Sequence, residues 1–360
     1  MSRPERHFPS DYRSARAGFV EACESAGLTV AARQHPSASG IDDKALFLDT
    51  ATIGAADAKS ALLLISGTHG VEGYFGSGVQ TGLLREGLAK RAPKDGKIVL
   101  LHALNPFGFS WDRRVNEDNA DVNRNFVDHD DPPTNKAYDA LADAIAPKDL
   151  APDTIKEANA KLRAYASAHG DFGLQAAISS GQWRHAQGIY YGGARASWSQ
   201  AMLKKIFRAQ LAGIERLVVI DFHTGLGDCG AAEMITEDVP GSAGYARAKS
   251  LWCERVRSSE AGESISAPLK GTIDKAVAQW LSDRTLTFAA LEVGTAPVRE
   301  VFDALRRDNW LHAHAGMTHG DARAIKRQIR DAFYPDTEAW KRQVWDHGAQ
   351  AVEAALAAIA

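Results

Sequence analysis

The chain has 360 residues, 45% of them hydrophobic and 24% charged, with a formal net charge of −3. That length suits one large α/β domain or two smaller ones, and the charge balance gives no whole-molecule field that favours nucleic acid or an anionic membrane. Three cysteines (Cys23, Cys229 and Cys253) are too few for a disulfide scaffold, the N-terminus lacks a secretory apolar segment, and no run reaches the roughly 18 apolar residues of a membrane span, so a cytoplasmic location is expected.

Residues 9–34 carry apolar positions at helical spacing and a capping residue at Ser10. ALFLDTATIG (45–54) reads as a strand entering a turn. ALLLISG (61–67) is a continuous apolar run, the pattern of a strand buried on both faces. A Gly-rich helix is expected over 74–90 and a second buried strand over 97–106, stopped by Asn105-Pro106. Residues 128–178 turn polar and Ala-rich and read as an irregular loop with one or two solvated helices. GQWRHAQGIYYGG (181–193) is a Gly- and aromatic-rich loop, and 197–213 is helical. RLVVIDFHTG (216–225) is the third buried strand, 231–237 a fourth, 242–258 helical, 286–295 another strand, and 298–360 almost wholly helical. Strands alternating with helices predict a mainly parallel or mixed twisted sheet with helices on both faces. No internal repeat or interdomain linker is visible. The whole chain, 1–360, reads as a single α/β domain with a helical and loop insertion at about 128–200.

In open α/β sheets, ligands bind beyond the carboxyl ends of the strands. His69 and Glu72 follow the 61–67 strand, Asn105 follows 97–104, His223 ends 216–222, and Glu292 ends 286–291. If these four strands are parallel neighbours, these groups meet at one rim. Two histidines and a carboxylate with an open position suit a hydrolytic zinc site, and Glu292 can then serve as general base. Read alone, HGVEG is equally a turn, and Glu292 equally a capping or ion-paired carboxylate. The stretch RRVNEDNADVNRNF (113–126) is dense in Arg and Asn. It reads either as a carboxylate-binding segment or as a solvated loop whose Asn and Asp build turns. Cys229 reads as a small buried residue with no activating partner.

Taken in order, H-G-V-E-G, N-P-F-G, R-R-V-N-E-D-N-A-D-V-N-R-N-F, D-F-H-T-G and L-E-V-G-T resemble the zinc carboxypeptidase family (peptidase family M14), and more narrowly its bacterial DUF2817 branch, over about residues 60–295. The resemblance implies a carboxypeptidase-like fold and one Zn²⁺ per chain. It implies that His69, Glu72 and His223 are the metal ligands and that Glu292 activates water and shuttles its proton. Asn123 and Arg124 would grip a substrate carboxylate, and Asp121 would orient the first zinc histidine. Arg114, or its neighbour Arg113, would polarise the scissile carbonyl. The substrate-binding tyrosine of true carboxypeptidases has no counterpart in ISAPLKGTIDKAVAQWLS (265–282). Tyr190 and Tyr191 are the candidates to replace it, though packing roles suit them equally.

The expected partner is therefore a small peptide or an N-acyl amino acid, with no nucleic acid and no membrane; self-association into a homo-oligomer is left open. The competing functions are an N-acyl amino acid deacylase of the aspartoacylase or succinylglutamate desuccinylase type, and a non-catalytic binding protein on a peptidase fold.

Overall fold

A computed structural model describes residues 3–360. Its sheet has eight strands: β1 (Ala31–Ser39), β2 (Ala45–Gly54), β3 (Ser60–Ile65), β4 (Gly96–His102), β5 (Arg216–Thr224), β6 (Ala232–Thr236), β7 (Val256–Ser258) and β8 (Thr285–Val293). They lie in the order β1-β2-β4-β3-β5-β8-β6-β7. The four central strands, β4, β3, β5 and β8, run parallel. β2 is antiparallel to β4 and to β1, and β6 is antiparallel to β8. The sheet is thus mixed, as the alternation of strands and helices predicts.

The continuous apolar runs explain the central position of these strands. Side chains alternate across a strand, so a run such as Leu62-Leu63-Leu64-Ile65 needs cover on both sides. Leu62 and Leu64 join one core with Phe19 of α1 (Tyr12–Ser25), Val79 of α2 (Gly73–Arg85) and Val344 near the chain's end. Leu63 and Ile65 join the opposite core with Leu203, Ile206 and Val277, which lie on two of the intervening helices. Burying each such side chain contributes about 1.5–3 kcal/mol. The intervening helices are α3 (Pro106–Ser110), α4 (Lys136–Ile145), α5 (Pro152–Ser179), α6 (Trp198–Gln210), α7 (Ala243–Trp252) and α8 (Ile273–Trp280). The chain ends with α9 (Val298–Trp310), α10 (Ala322–Phe333) and α11 (Glu338–Ala358). Helices α4 and α5 form their own apolar cluster with Ile189 of the 181–193 loop. Among the described residues no helix is long and apolar enough to cross a membrane.

Four local expectations are corrected. The first helix stops at Ser25, is capped by Asp11 in a reciprocal box with Ser14 rather than by Ser10, and is followed by β1. The helix expected over 242–258 ends at Trp252, and its last three residues form β7. Helix α8 forms where the sequence pattern had assigned no element. Cys229 is exposed rather than buried.

Candidate metal centre

Register places the candidate residues at one rim. Ile65 of β3 stands opposite Asp221 of β5, and His223 of β5 stands opposite Glu292 of β8. The chain leaves β3, reaches His69, and makes a single tight turn, Gly70–Glu72, into α2. Gly70 is required there: a Cβ on it would stand 1.9 Å from the backbone of Gly108. Val71, between the two candidate ligands, is buried against Val301 and Leu305 of α9 and Ile329 and Phe333 of α10. The N–H groups of Gly70 and Val71 donate to the carbonyls of Arg114 and Arg113. The H-x-x-E turn and the arginine-rich loop are therefore held as one unit.

His69, Glu72 and His223 converge and are all buried. Nδ1 of His69 is 2.9 Å from Glu72 Oε1, Nδ1 of His223 is 3.0 Å from Glu72 Oε2, and the two Nδ1 atoms are 3.2 Å apart. Two imidazole lone pairs aimed at each other repel unless a proton or a cation lies between them. Each Nε2 faces a carboxylate: His69 meets Asp121 at 3.1 Å and His223 meets Asp221 at 2.9 Å. A carboxylate behind each ring leaves Nδ1 as the outward ligand atom.

The charge balance points the same way. Glu72, Asp121, Asp221 and Glu292 are all buried here, and the guanidinium that touches the cluster is Arg114. Burial works against the charge of His223, but Asp221 and Glu72 prevail and raise its pKa well above the ordinary value. Burial likewise opposes the ionised forms of Glu72 and Asp121. For Glu72 the charges of His69, His223 and Arg114 outweigh it, and for Asp121 those of Arg114 and His69, so both carboxyls are held down. Two nitrogens, a carboxylate and a surplus of buried negative charge fit a divalent ion such as zinc.

Glu292 differs from its neighbours. Burial, and then the charge of Glu72, push it up to about 7; its Oε1 accepts the N–H of Leu226 at 2.9 Å. Arg114 reaches the cluster through three nitrogens: Nε donates to Asp121 (2.9 Å), Nη1 to Glu72 (3.0 Å), and Nη2 stands 2.8 Å from Nε2 of His69. Arg113 turns away, pairing with Asp308 and Asn119. Of the two adjacent arginines, only Arg114 is at the cluster.

Asp121 caps the one-turn helix Val122–Arg124 by accepting the N–H of Asn123. Asn123 Oδ1 in turn accepts the N–H of Ile273, the first residue of α8. Arg124 is buried and donates only to carbonyls, those of Ser179 at the end of α5 and of Asn123. A helix C-terminus carries partial negative charge, so a dipole rather than a carboxylate faces this guanidinium. Tyr190 lies between the two arginines, its ring centroid 5.1 Å from the Arg114 guanidinium and 5.6 Å from that of Arg124. Its backbone has φ +56°, a conformation that costs a bulky residue about 1–3 kcal/mol. The N–H of Gln182 holds the Tyr190 carbonyl at 3.1 Å, and the N–H of Asp121 holds that of Tyr191 at 2.7 Å. Tyr191 thus meets the site through its backbone and Tyr190 through its ring. Asp221 is the site residue that sequence reasoning missed; its position two before His223 on a strand was the available signal.

The family model described as "Protein of unknown function (DUF2817)" matches residues 8–347. No curated protein matches the chain. Among solved structures, carboxypeptidase A from Helicoverpa armigera is similar at a TM-score of 0.47 and 12% identity, covering 95% of this chain and 74% of that one. Bovine thrombin-activatable fibrinolysis inhibitor, in complex with tick carboxypeptidase inhibitor, is similar at 0.46 and 10%, covering 95% and 98%. An aspartoacylase family protein from Mesorhizobium loti is similar at 0.37 and 15%, covering 79% and 66%.

Proposed function

We propose, for a chain that belongs to the DUF2817 family, a zinc-dependent hydrolase activity that cleaves an amide bond adjacent to a free carboxylate. The observation that carries this reading is the convergence of His69 Nδ1, His223 Nδ1 and the Glu72 carboxylate, with Glu292 in register beside His223.

His69, Glu72 and His223 would hold the ion, which when bound supplies Lewis acidity that acidifies water and polarises a carbonyl. Glu292, poised near 7, takes a proton from the water that attacks the amide carbon. As the C–N bond breaks, Glu292 hands that proton to the departing amine nitrogen. Arg114 offers donors to the oxygen of the attacked carbonyl, a role that requires it to release Glu72. Arg124, with no carboxylate partner of its own, anchors the substrate carboxylate as a fork, and Asn123 adds a donor. Tyr190, rigid between the two arginines, forms the wall between the reacting carbonyl and the anchored carboxylate and favours a small substrate.

The test is a substrate panel on zinc-loaded protein: free dipeptides, the same dipeptides with a C-terminal amide, and N-acetyl and N-succinyl amino acids. Turnover of the free dipeptides and not of the amides is expected. Turnover confined to the N-acyl amino acids would move the assignment to a deacylase, and none on any compound would replace hydrolysis by a binding role.

A further inference from the structure

Asp221 is assigned no part in the mechanism above, yet it is one of the most buried carboxylates in the chain, 1% exposed. It precedes His223 by two residues on β5, so both side chains leave the same face of the strand. One oxygen stands 2.9 Å from His223 Nε2, and both accept from Thr68 Oγ1, at 2.8 and 3.0 Å. Thr68 is itself fully buried and directly precedes His69. A single Thr68–Asp221 contact therefore ties the segment bearing one histidine to the strand bearing the other.

The partners of the two carboxylates differ. Asp121 shares its charge among Arg114, the Asn123 N–H and His69. Among the described residues, Asp221 has the Thr68 hydroxyl and His223, with no guanidinium or ammonium in contact. Its charge thus falls on one imidazole. The 2.9 Å approach of Asp221 to Nε2 is an ion-pair contact off the axis of a straight hydrogen bond, while Nδ1 faces Glu72.

We infer that Asp221 is a positioning residue for the metal centre, holding the proton of His223 on Nε2 so that the Nδ1 lone pair is presented beside Glu72 and His69. This rests on the metal reading of the site, not on the hydrolytic one. A carboxylate accepts only, so it selects the Nε2–H tautomer. An asparagine either presents its NH₂ to Nε2, which moves the proton to Nδ1 and blocks ligation, or presents its oxygen without the charge. Both weaken the ligand.

The experiment is zinc affinity by chelator competition on the full chain, with circular dichroism to verify the fold. Asp221→Asn is expected to bind zinc about 10–100-fold more weakly than the wild type; affinity within threefold of wild type overturns the inference. A second measurement needs no variant. Long-range ¹H–¹⁵N correlation spectra of the zinc-loaded wild type should show a protonated Nε2 on His223, and a protonated Nδ1 overturns the inference even where Asp221→Asn fails to fold. A wild type that takes up no zinc removes this inference and the metal centre together. Tight zinc binding by the wild type and weak binding by Asp221→Asn, with no turnover on the substrate panel, removes only the hydrolase and supports the role of Asp221.

Discussion

Burial and the neighbouring charge of Glu72 push Glu292 up to about 7, while Glu72 and Asp121 are held ionised a few ångströms from the same histidines. Carboxyl groups driven apart in this way take different tasks: the ionised ones bind and orient, and the one near neutrality moves protons. Glu292→Gln keeps the oxygen that accepts the Leu226 N–H and removes only the titrating group. The expected outcome is a fall in kcat of about 10²–10⁴, with zinc content by elemental analysis equal to wild type. Undiminished kcat takes Glu292 out of the proton transfer; loss of zinc makes it part of the metal cradle instead. The histidines and Glu292 were legible because each follows an apolar run that can only be a central strand. The choice between Arg113 and Arg114 was not, since adjacent residues differ only in which way the loop turns them. The surroundings of Arg124 were equally hidden, because the carbonyl of Ser179 reaches it from the end of the α5 segment, 55 residues further along the chain and beyond a break at Gly170.

The elements that the sequence concealed are exposed, very short, or dependent on a partner distant in sequence. Strand β1 is exposed along most of its length, carries Pro36, and pairs on one side only, as edge strands do. Strand β7 has three residues, too few to show alternation. Helix α8 has eight, and its start depends on a partner distant in sequence, Asn123. That start also gathers Thr272, Asp274 and Lys275 around Glu237, which follows β6. Burial, then the charge of Asp274, push Glu237 up to about 8. A carboxyl whose folded pKa lies above its unfolded value contributes stability that is full below about 4.5 and is lost as pH rises through about 8. Glu237→Gln removes that loss. Urea unfolding should find the stability of the variant relative to wild type rising by a few kcal/mol between pH 5 and pH 8.5. An effect of equal size at both pH values would show that the substitution acts through packing and not through ionisation.

At the scale of the molecule, the proposed ligands come from the turn that follows β3 and from β5, with His223 151 residues after Glu72, and the base comes from a third strand. Such a cluster exists only when β3, β5 and β8 are assembled in register, so an ion bound there favours the folded chain and has no comparable site in the unfolded one. The linkage sets the size of the effect. Free zinc at about 1,000 times its dissociation constant adds about 4 kcal/mol. Spread over the unfolding entropy of a chain this long, that is an upward shift in Tm of about 5 °C. The shift should reverse on chelation and disappear in His223→Ala, whose Tm should no longer respond to zinc. The same measurement separates a metal centre from a purely structural cluster. If the histidines and carboxylates served only to pair with one another and held no ion, zinc would leave Tm unchanged, or lower it by binding the unfolded chain, and His223→Ala would melt lower than wild type in chelator and in zinc alike.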